Sequence, residues 1–440
     1  MVIRIKHLIA FQIYYLMTYN AFVSILGLPG LLKHVLDVNL ILILGFSLSR
    51  IPGFFKNKNY NKLFIYIIFY IAFTLLVAFA KSVPVGQVLW AVRNNFFFLF
   101  YFMICIDVLH KEDCDKIMQN IFKLQFFNVI CAAFEFVFMG ARNDFLGGMF
   151  GTAQGCNVYL HIYMLVITVY VIIRYLSKLE KLSSLLWIIL SNVAIAAASE
   201  LKIYFIELAV IFIMAVVLNN KKSFKNIYII LFAGLGLFIG FNILAAVNSD
   251  SVSFFTDMEQ FLYYNTRTEY SDGARVSRFT FFQQINDWFF HDNTALKIFG
   301  YGFGACESSK TFAWCNSSFA DKYEDTQYRN LSTSMIYLEQ GIVGLILVAI
   351  IFIAIILIAT KFKKSGKFND YSVQFTQIFA FLILINLAYN AGIRIEIAYL
   401  TFFVLATVFV RKKDFDNTYA VKSNIREQKQ IYKSKYIKGA

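Results

Sequence analysis

At 440 residues the chain is long enough for two or three soluble domains, yet 59% of it is hydrophobic and only 15% is charged. Its mean hydropathy is +0.61, and an average soluble domain is about one quarter charged. These values exclude a string of soluble domains and point to an all-α polytopic membrane protein, in which the net charge of +14 reports topology beside anionic lipid and no nucleic-acid partner.

Met1 to Lys6 followed by an apolar run superficially matches a signal peptide, but the run is long and no small-residue cleavage pattern follows. It is expected to remain as the first span. A run of about 18 apolar residues with few charges is a candidate transmembrane helix. About twelve such runs occur, near 8–28, 35–49, 63–80, 87–109, 117–139, 157–175, 183–198, 201–218, 227–247, 333–360, 372–391 and 395–410. The seventh and eighth meet at a polar hinge, Ser199-Glu200-Leu201-Lys202. The chain thus divides into nine spans within 1–247, a polar loop at 248–330, three spans within 331–410 and a basic tail at 411–440.

Cytoplasmic loops carry the Lys/Arg excess. Short loops here alternate between rich and poor: Arg50, Lys56, Lys58 and Lys62, then Lys81; Lys111 and Lys116, then Arg142; Arg174, Lys178 and Lys181, then Lys202; Lys221, Lys222 and Lys225. After the long loop come Lys361, Lys363, Lys364 and Lys367, then a lone Arg394, then a tail with nine basic and three acidic residues. The alternation predicts cytoplasmic termini and an external loop. That loop is slightly acidic, with seven Lys/Arg against eleven Asp/Glu.

Within the loop, Ser271-Asp272-Gly273 reads as a helix start. Apolar residues at Phe279, Phe282, Ile285 and Phe289 predict an amphipathic helix from Arg275 to Phe290 on the outer membrane surface, with Arg275 and Arg278 on one face. The alternative is a surface helix whose arginines pair with neighbours such as Asp272. Cys306 and Cys315 share the loop and could be joined in an oxidising compartment; no cysteine set has metal-ligand spacing. Gly300, Gly302 and Gly304 suit a special backbone geometry.

Ionisable residues inside spans are costly and need a cavity or a partner. Arg93, Glu135 and Glu207 lie in the outer halves of their spans, and Arg394 and Glu396 at the edge of the last. An ion pair such as Arg93 with Glu207 would explain some of them. Arg142, Lys202, Arg275, Arg278, Arg329 and Arg394 all fall on the outer side, where converging guanidiniums would suit a pyrophosphate. No Walker loop, metal set or nucleophile elbow occurs, and no internal repeat of the kind found in many transporters is visible.

The chain resembles the O-antigen polymerase and O-antigen ligase superfamily. Three segments carry the likeness: Arg142 followed by Gly148-Met149-Phe150-Gly151 and Asn157; Gly273-Ala274-Arg275 followed by Ile298-Phe299-Gly300-Tyr301-Gly302-Phe303-Gly304; and Asn330 through Glu339-Gln340-Gly341-Ile342-Val343-Gly344. Ligases of this superfamily carry a histidine about nine residues before the last Glu, where this chain has Asn330 beside Arg329. That departure favours a polymerase. The resemblance implies a bacterial inner-membrane enzyme that transfers a growing glycan from undecaprenyl pyrophosphate to a lipid-linked repeat unit, with no metal or cofactor. Its implied partners are the lipid-linked oligosaccharide, membrane lipid and a chain-length regulator protein. Arg142, Arg275 and Arg278 would hold the leaving group, with Asp272, Glu269 or Asp325 as base. Lys202, Arg329, Asn330, Arg93, Arg394 and Glu339 would assist substrate binding. A ligase and a lipid-linked sugar flippase are the alternatives.

Overall fold

The computed structural model describes residues 4–50, 57, 59–219, 234, 236, 238, 240, 242–246, 250–270, 273–364 and 368–437. Its helices are α1 (Ile5–Leu26), α2 (Val35–Ser47), α3 (Asn61–Ala80), α4 (Val85–Asn95), α5 (Phe97–Val108), α6 (Lys111–Val137), α7 (Cys156–Leu176), α8 (Leu182–Ala198) and α9 (Lys202–Leu218). The loop region adds α10 (Asp250–Thr256), α11 (Met258–Thr266), a hairpin of β1 (Glu269–Tyr270) and β2 (Gly273–Ala274), α12 (Phe281–Ile285), α13 (Thr294–Phe299) and α14 (Ser318–Tyr323). α15 (Ser332–Lys364), α16 (Tyr371–Tyr389) and α17 (Ala398–Ile437) complete the chain.

Apolar runs form helices because a backbone without water must satisfy its own N–H and C=O groups. Seven described helices are long and apolar enough to cross a membrane, or eight if α4 and α5, bent by 43°, form one span. The protein is therefore an all-α, multi-pass membrane protein. Eleven of the expected apolar runs fall on described helices; most of the run at 227–247 lies outside the described residues. The expected break at Ser199–Lys202 is present, with Glu200 at φ 51° between α8 and α9. α7 is enclosed on nearly every side, its buried residues running from Leu160 through Ile173 without a polar face, so it is the centre of the bundle.

Side-chain contacts sort the loops into two layers. In one, Lys6 meets Asp113 at 2.8 Å and Lys363 donates to Leu218 O at 2.7 Å. Lys413 Nζ caps the end of α5 through Ile106 O and Leu109 O, and Arg411 joins Asp370 and Asp115. In the other, Gln87 donates to Asn316 O at 3.1 Å, Trp90 to Ser308 O at 3.1 Å, and Ser332 Oγ to Asn390 O at 2.8 Å. Each of these contacts joins segments that the charge alternation assigns to one side.

The glycine run locks the second layer together. α15 breaks at Gly341, whose φ of 62° and ψ of −163° lie outside any helix. The break frees Leu338 O and Glu339 O, which accept from Tyr301 N at 2.8 Å and Gly302 N at 3.0 Å. A Cβ on Gly300 would stand 2.4 Å from the Glu339 carbonyl carbon. Phe303 then stacks on Phe96 at 4.6 Å, at the bend between α4 and α5. The run is a wedge between two broken helices.

One expectation is corrected here, and the open pairing of the two loop cysteines is answered. Arg275 to Phe290 is not one helix: Gly273, at φ 125°, belongs to the hairpin, Arg275 N bonds Thr268 O at 2.7 Å, and Val276 N bonds Thr326 O at 2.9 Å. Helix begins only at Phe281, with Ser277 Oγ accepting from Thr280 N at 3.3 Å, and it passes into a π turn at Asn286–Phe290. Phe281, Ile285, Phe289 and Phe290 face inward, while Phe279 and Phe282 are exposed. Ser271 and Asp272 lie outside the described residues. The two loop cysteines are not joined; both are buried, and burial with nearby Glu339 and Glu307 pushes the Cys306 thiol well up.

Gly341→Ala should destabilise the protein by about 2 kcal/mol or more, because only glycine accepts that backbone and its Cβ would lie 2.2 Å from Ile298 O. Gly45→Ala, with nothing within 4 Å, should be neutral or slightly stabilising. Thermal unfolding in detergent measures both. Burial raises the Asp370 pKa, but the hydrogen bond and charge of Arg411 outweigh it and hold the carboxyl below its ordinary value. Its stabilising contribution is therefore complete above the ordinary aspartate range and is lost as pH falls below it. Unfolding stability should drop less steeply below pH ~4 in Arg411→Ala than in the parent, in a detergent melt series against pH.

Candidate functional site

The expected outer-side residues resolve into three groups. The first is buried and fully paired. Arg93, on α4 just before the bend, donates Nε to Asp37 Oδ1 at 3.0 Å and Nη2 to Glu396 Oε1 at 2.6 Å. Tyr159 bonds the other oxygen of Glu396. Arg394 pairs with Glu307, whose second oxygen accepts from Asn94 at 3.0 Å, and Arg394 Nε reaches Asn95 at 3.1 Å. Glu339 is enclosed beside them and accepts from Cys306 N at 3.3 Å. The expected pair of Arg93 with Glu207 is thus replaced: Asp37, at the start of α2, lies closer to the α4 bend, and Glu207 has its own partners.

The second group surrounds Gln327. With the Gln327 amide turned to match its donors, its oxygen lies 3.2 Å from both Nε and Nη2 of Arg275. Asn330 lies at its other side, exposed, and Arg329 pairs with Glu324 and reaches Ser308 O at 3.3 Å. The hairpin sets this arrangement, since β2 and the Thr326 carbonyl hold Arg275 and Val276.

The third group gathers on Tyr389, at the end of α16. Arg278 lies over its ring at 4.5 Å and reaches its carbonyl at 3.4 Å. Tyr389 also sits within range of Asp144 and Glu207 and against the backbone of Ile203, the neighbour of Lys202. Lys202 Nζ lies 4.0 Å from the Tyr264 ring, which Arg267 also faces at 4.8 Å. Phe279 N bonds Asn265 O at 3.0 Å, tying α11 to the Arg278 segment. Asp144, held by Asn157 Nδ2 at 2.6 Å, shares an open cleft of about 580 Å³ with Arg142, Asn143 and Thr152. The Arg142 guanidinium lies 3.4 Å over the Phe136 ring, and its Nη1 donates to Phe136 O and Ala141 O.

Charge pairing separates these arginines. Arg93, Arg329 and Arg394 each hold a carboxylate. Arg142 and Arg278 have none among the described residues, and Arg142 Nε and Nη2 have no hydrogen-bond partner there. A guanidinium without a carboxylate, beside an open cleft, can bind an anion by charge-assisted hydrogen bonds. Among the described residues no group of three or more His, Cys, Asp or Glu is arranged to hold a metal ion.

Several members of the site were not singled out by sequence. Asp37, Asp144, His161, Glu307 and Tyr389 each depend on chain segments far apart being brought together. His161 had a usable signal: it and Glu207 are each five residues inside the N-terminal ends of α7 and α9, so a costly carboxylate had an imidazole at its own depth. The sequence matches no known protein-family model, and no curated protein matches it significantly.

Arg93→Ala should destabilise the protein by about 3 kcal/mol or more, because it leaves enclosed Glu396 without its cation and half-buried Asp37 with only His34. Arg142→Ala should change stability by less than about 0.5 kcal/mol, as an exposed residue without an ion pair. Denaturation midpoints in detergent distinguish the two classes of arginine.

Proposed function

We propose that this protein is a polysaccharide polymerase of the O-antigen or capsule type. It transfers a growing glycan from undecaprenyl pyrophosphate to the sugar of another lipid-linked repeat unit at the outer face of a bacterial inner membrane. The observation that carries this reading is that Arg142, beside an open cleft, and Arg278, over the Tyr389 ring, each lack a carboxylate partner among the described residues, while Asp144 of that cleft lies within electrostatic range of Tyr389. The resemblance of the Arg142, glycine-run and Glu339 segments to the O-antigen polymerase and ligase superfamily supports the same reading. So does the charge alternation, which favours cytoplasmic termini, an external loop and twelve spans.

In this reading Arg142 and Arg278 grip the pyrophosphate, with Lys202 beside them and Arg275 on the same loop. The bond between the donor sugar's anomeric carbon and the pyrophosphate oxygen breaks as the acceptor hydroxyl attacks that carbon. The departing pyrophosphate takes the electron pair, and the arginines stabilise its developing charge. The acceptor hydroxyl's proton passes to a carboxylate. Asp144, lining the same cleft as Arg142, fits that role better than Glu269 or Asp325, which do not line it. Undecaprenyl pyrophosphate leaves, and the glycan is longer by its acceptor unit.

Arg142→Ala and Arg278→Ala should each reduce polymer formation by about a hundredfold, as for loss of a group that stabilises transition-state charge. Gel profiles of surface glycan from complemented deletion cells give the readout. Single-repeat glycan in the deletion strain supports a polymerase. Carrier-bound free polymer would indicate a ligase, and lipid-linked units trapped in the inner leaflet a flippase. Full-length polymer in both arginine variants would overturn the proposal.

A further inference from the structure

His161 and Glu207 are fully buried, with His161 Nε2 2.5 Å from Glu207 Oε2. At five residues from their helix ends they lie about 8 Å deep. Their protonation pattern follows from two asparagines whose amides are fixed by backbone groups. Asn390 Oδ1 accepts from Gly392 N at 2.8 Å, and Asn386 Nδ2 donates to Leu382 O at 2.9 Å. Asn390 Nδ2 therefore faces His161 Nδ1, at 3.3 Å, as a donor. Nδ1 must be bare, and the ring proton sits on Nε2, donated to Glu207. The other Glu207 oxygen accepts from Asn386 Nδ2 at 2.6 Å. With both oxygens accepting, Glu207 is a carboxylate, and the couple carries one net negative charge.

A charge in an apolar bundle requires a counter-charge or a polar cage. The asparagines supply the cage, and the direction of the counter-charge is set by Tyr389. Its ring stands 6.1 Å from the His161 ring and 4.5 Å from the Arg278 guanidinium carbon. Asn390, the next residue, bonds His161 on one side and through its carbonyl holds Ser332, the first residue of α15. On Coulomb's law alone, a buried negative charge behind an anion site would weaken anion binding. Its presence there is accounted for if it fixes the cation that does the binding.

We propose that Glu207 and His161 are positioning residues: acting through Tyr389 and Asn390, they hold Arg278 in the orientation that binds the pyrophosphate. The inference rests on the reading of Arg278 as a pyrophosphate ligand. Its test is calorimetric titration of the purified full-length protein in detergent with farnesyl pyrophosphate. Glu207→Gln should weaken binding about tenfold, the size of one charge-assisted hydrogen bond, and should have no further effect in an Arg278→Ala background. His161→Gln, whose amide can replace the Nε2–H donor, should bind within about twofold of the parent, and His161→Leu should match Glu207→Gln. Unchanged or tighter binding by Glu207→Gln would overturn the positioning role. So would effects of Glu207→Gln and Arg278→Ala that multiply in the double variant, as general damage to the fold would produce. If the parent binds no farnesyl pyrophosphate, or Arg278→Ala binds as well as the parent, the pyrophosphate reading itself fails and this role falls with it. Loss in Arg278→Ala without loss in Glu207→Gln overturns the positioning role alone.

Discussion

The fork of Arg93 between Asp37 and Glu396 is the contact on which the layer holding the long loop depends. An enclosed guanidinium is tolerable only with its donors matched, and here it is matched by carboxylates from α2 and from the segment before α17. Three distant parts of the chain are thereby held at one depth. The neighbouring pair of Arg394 with Glu307 adds the long loop to the same layer. Such pairs contribute little net stability against an apolar alternative, but breaking one is expensive, so they specify which helices meet.

The glycine wedge extends that specification. An ion pair fixes where the loop docks, and the backbone bonds from Tyr301 and Gly302 to the broken turn of α15 fix how it docks. The break at Gly341 and the bend at Phe96 lie on either side of the run. Each would expose backbone groups or leave a gap if the loop were absent. The loop is therefore part of the helix bundle's packing and not a separate appendage, which explains why Phe303 belongs to the main core.

Much of this was legible beforehand, and the failures have definite causes. Apolar runs and Lys/Arg alternation located the helices and sorted the loops, because both are one-dimensional consequences of the bilayer. The glycines at 300, 302 and 304 were read correctly as backbone requirements. The helix from Arg275 failed because Ser271-Asp272-Gly273 has the composition of a cap and of a hairpin turn alike, and the pairing of Glu269 with Ala274 decides between them. Helix starts only after Thr280, so Arg275 and Arg278 precede it and share no helical face. Tyr389 was one of 26 tyrosines, with no sequence feature to distinguish it. Pairings such as Arg93 with Asp37 span 56 residues, and only the assembled bundle decides them.

Pairing, rather than the side assigned by charge alternation, separates the arginines that hold carboxylates from those that hold none among the described residues. Enclosed Arg93 and Arg394 spend their donors on protein carboxylates and gain specificity for the fold. Arg142 and Arg278 have found aromatic faces and carbonyls instead, which orient a guanidinium without neutralising it. An aromatic face leaves the in-plane N–H groups available to other acceptors, and in Arg142 the Nε and Nη2 groups remain so beside the cleft. In a layer where other arginines are matched, these two cations are oriented yet hold no carboxylate among the described residues, and the proposed anion site rests on that contrast. In the proposed function that anion is a pyrophosphate on a lipid carrier, whose charge and paired oxygens suit the planar fork of a guanidinium.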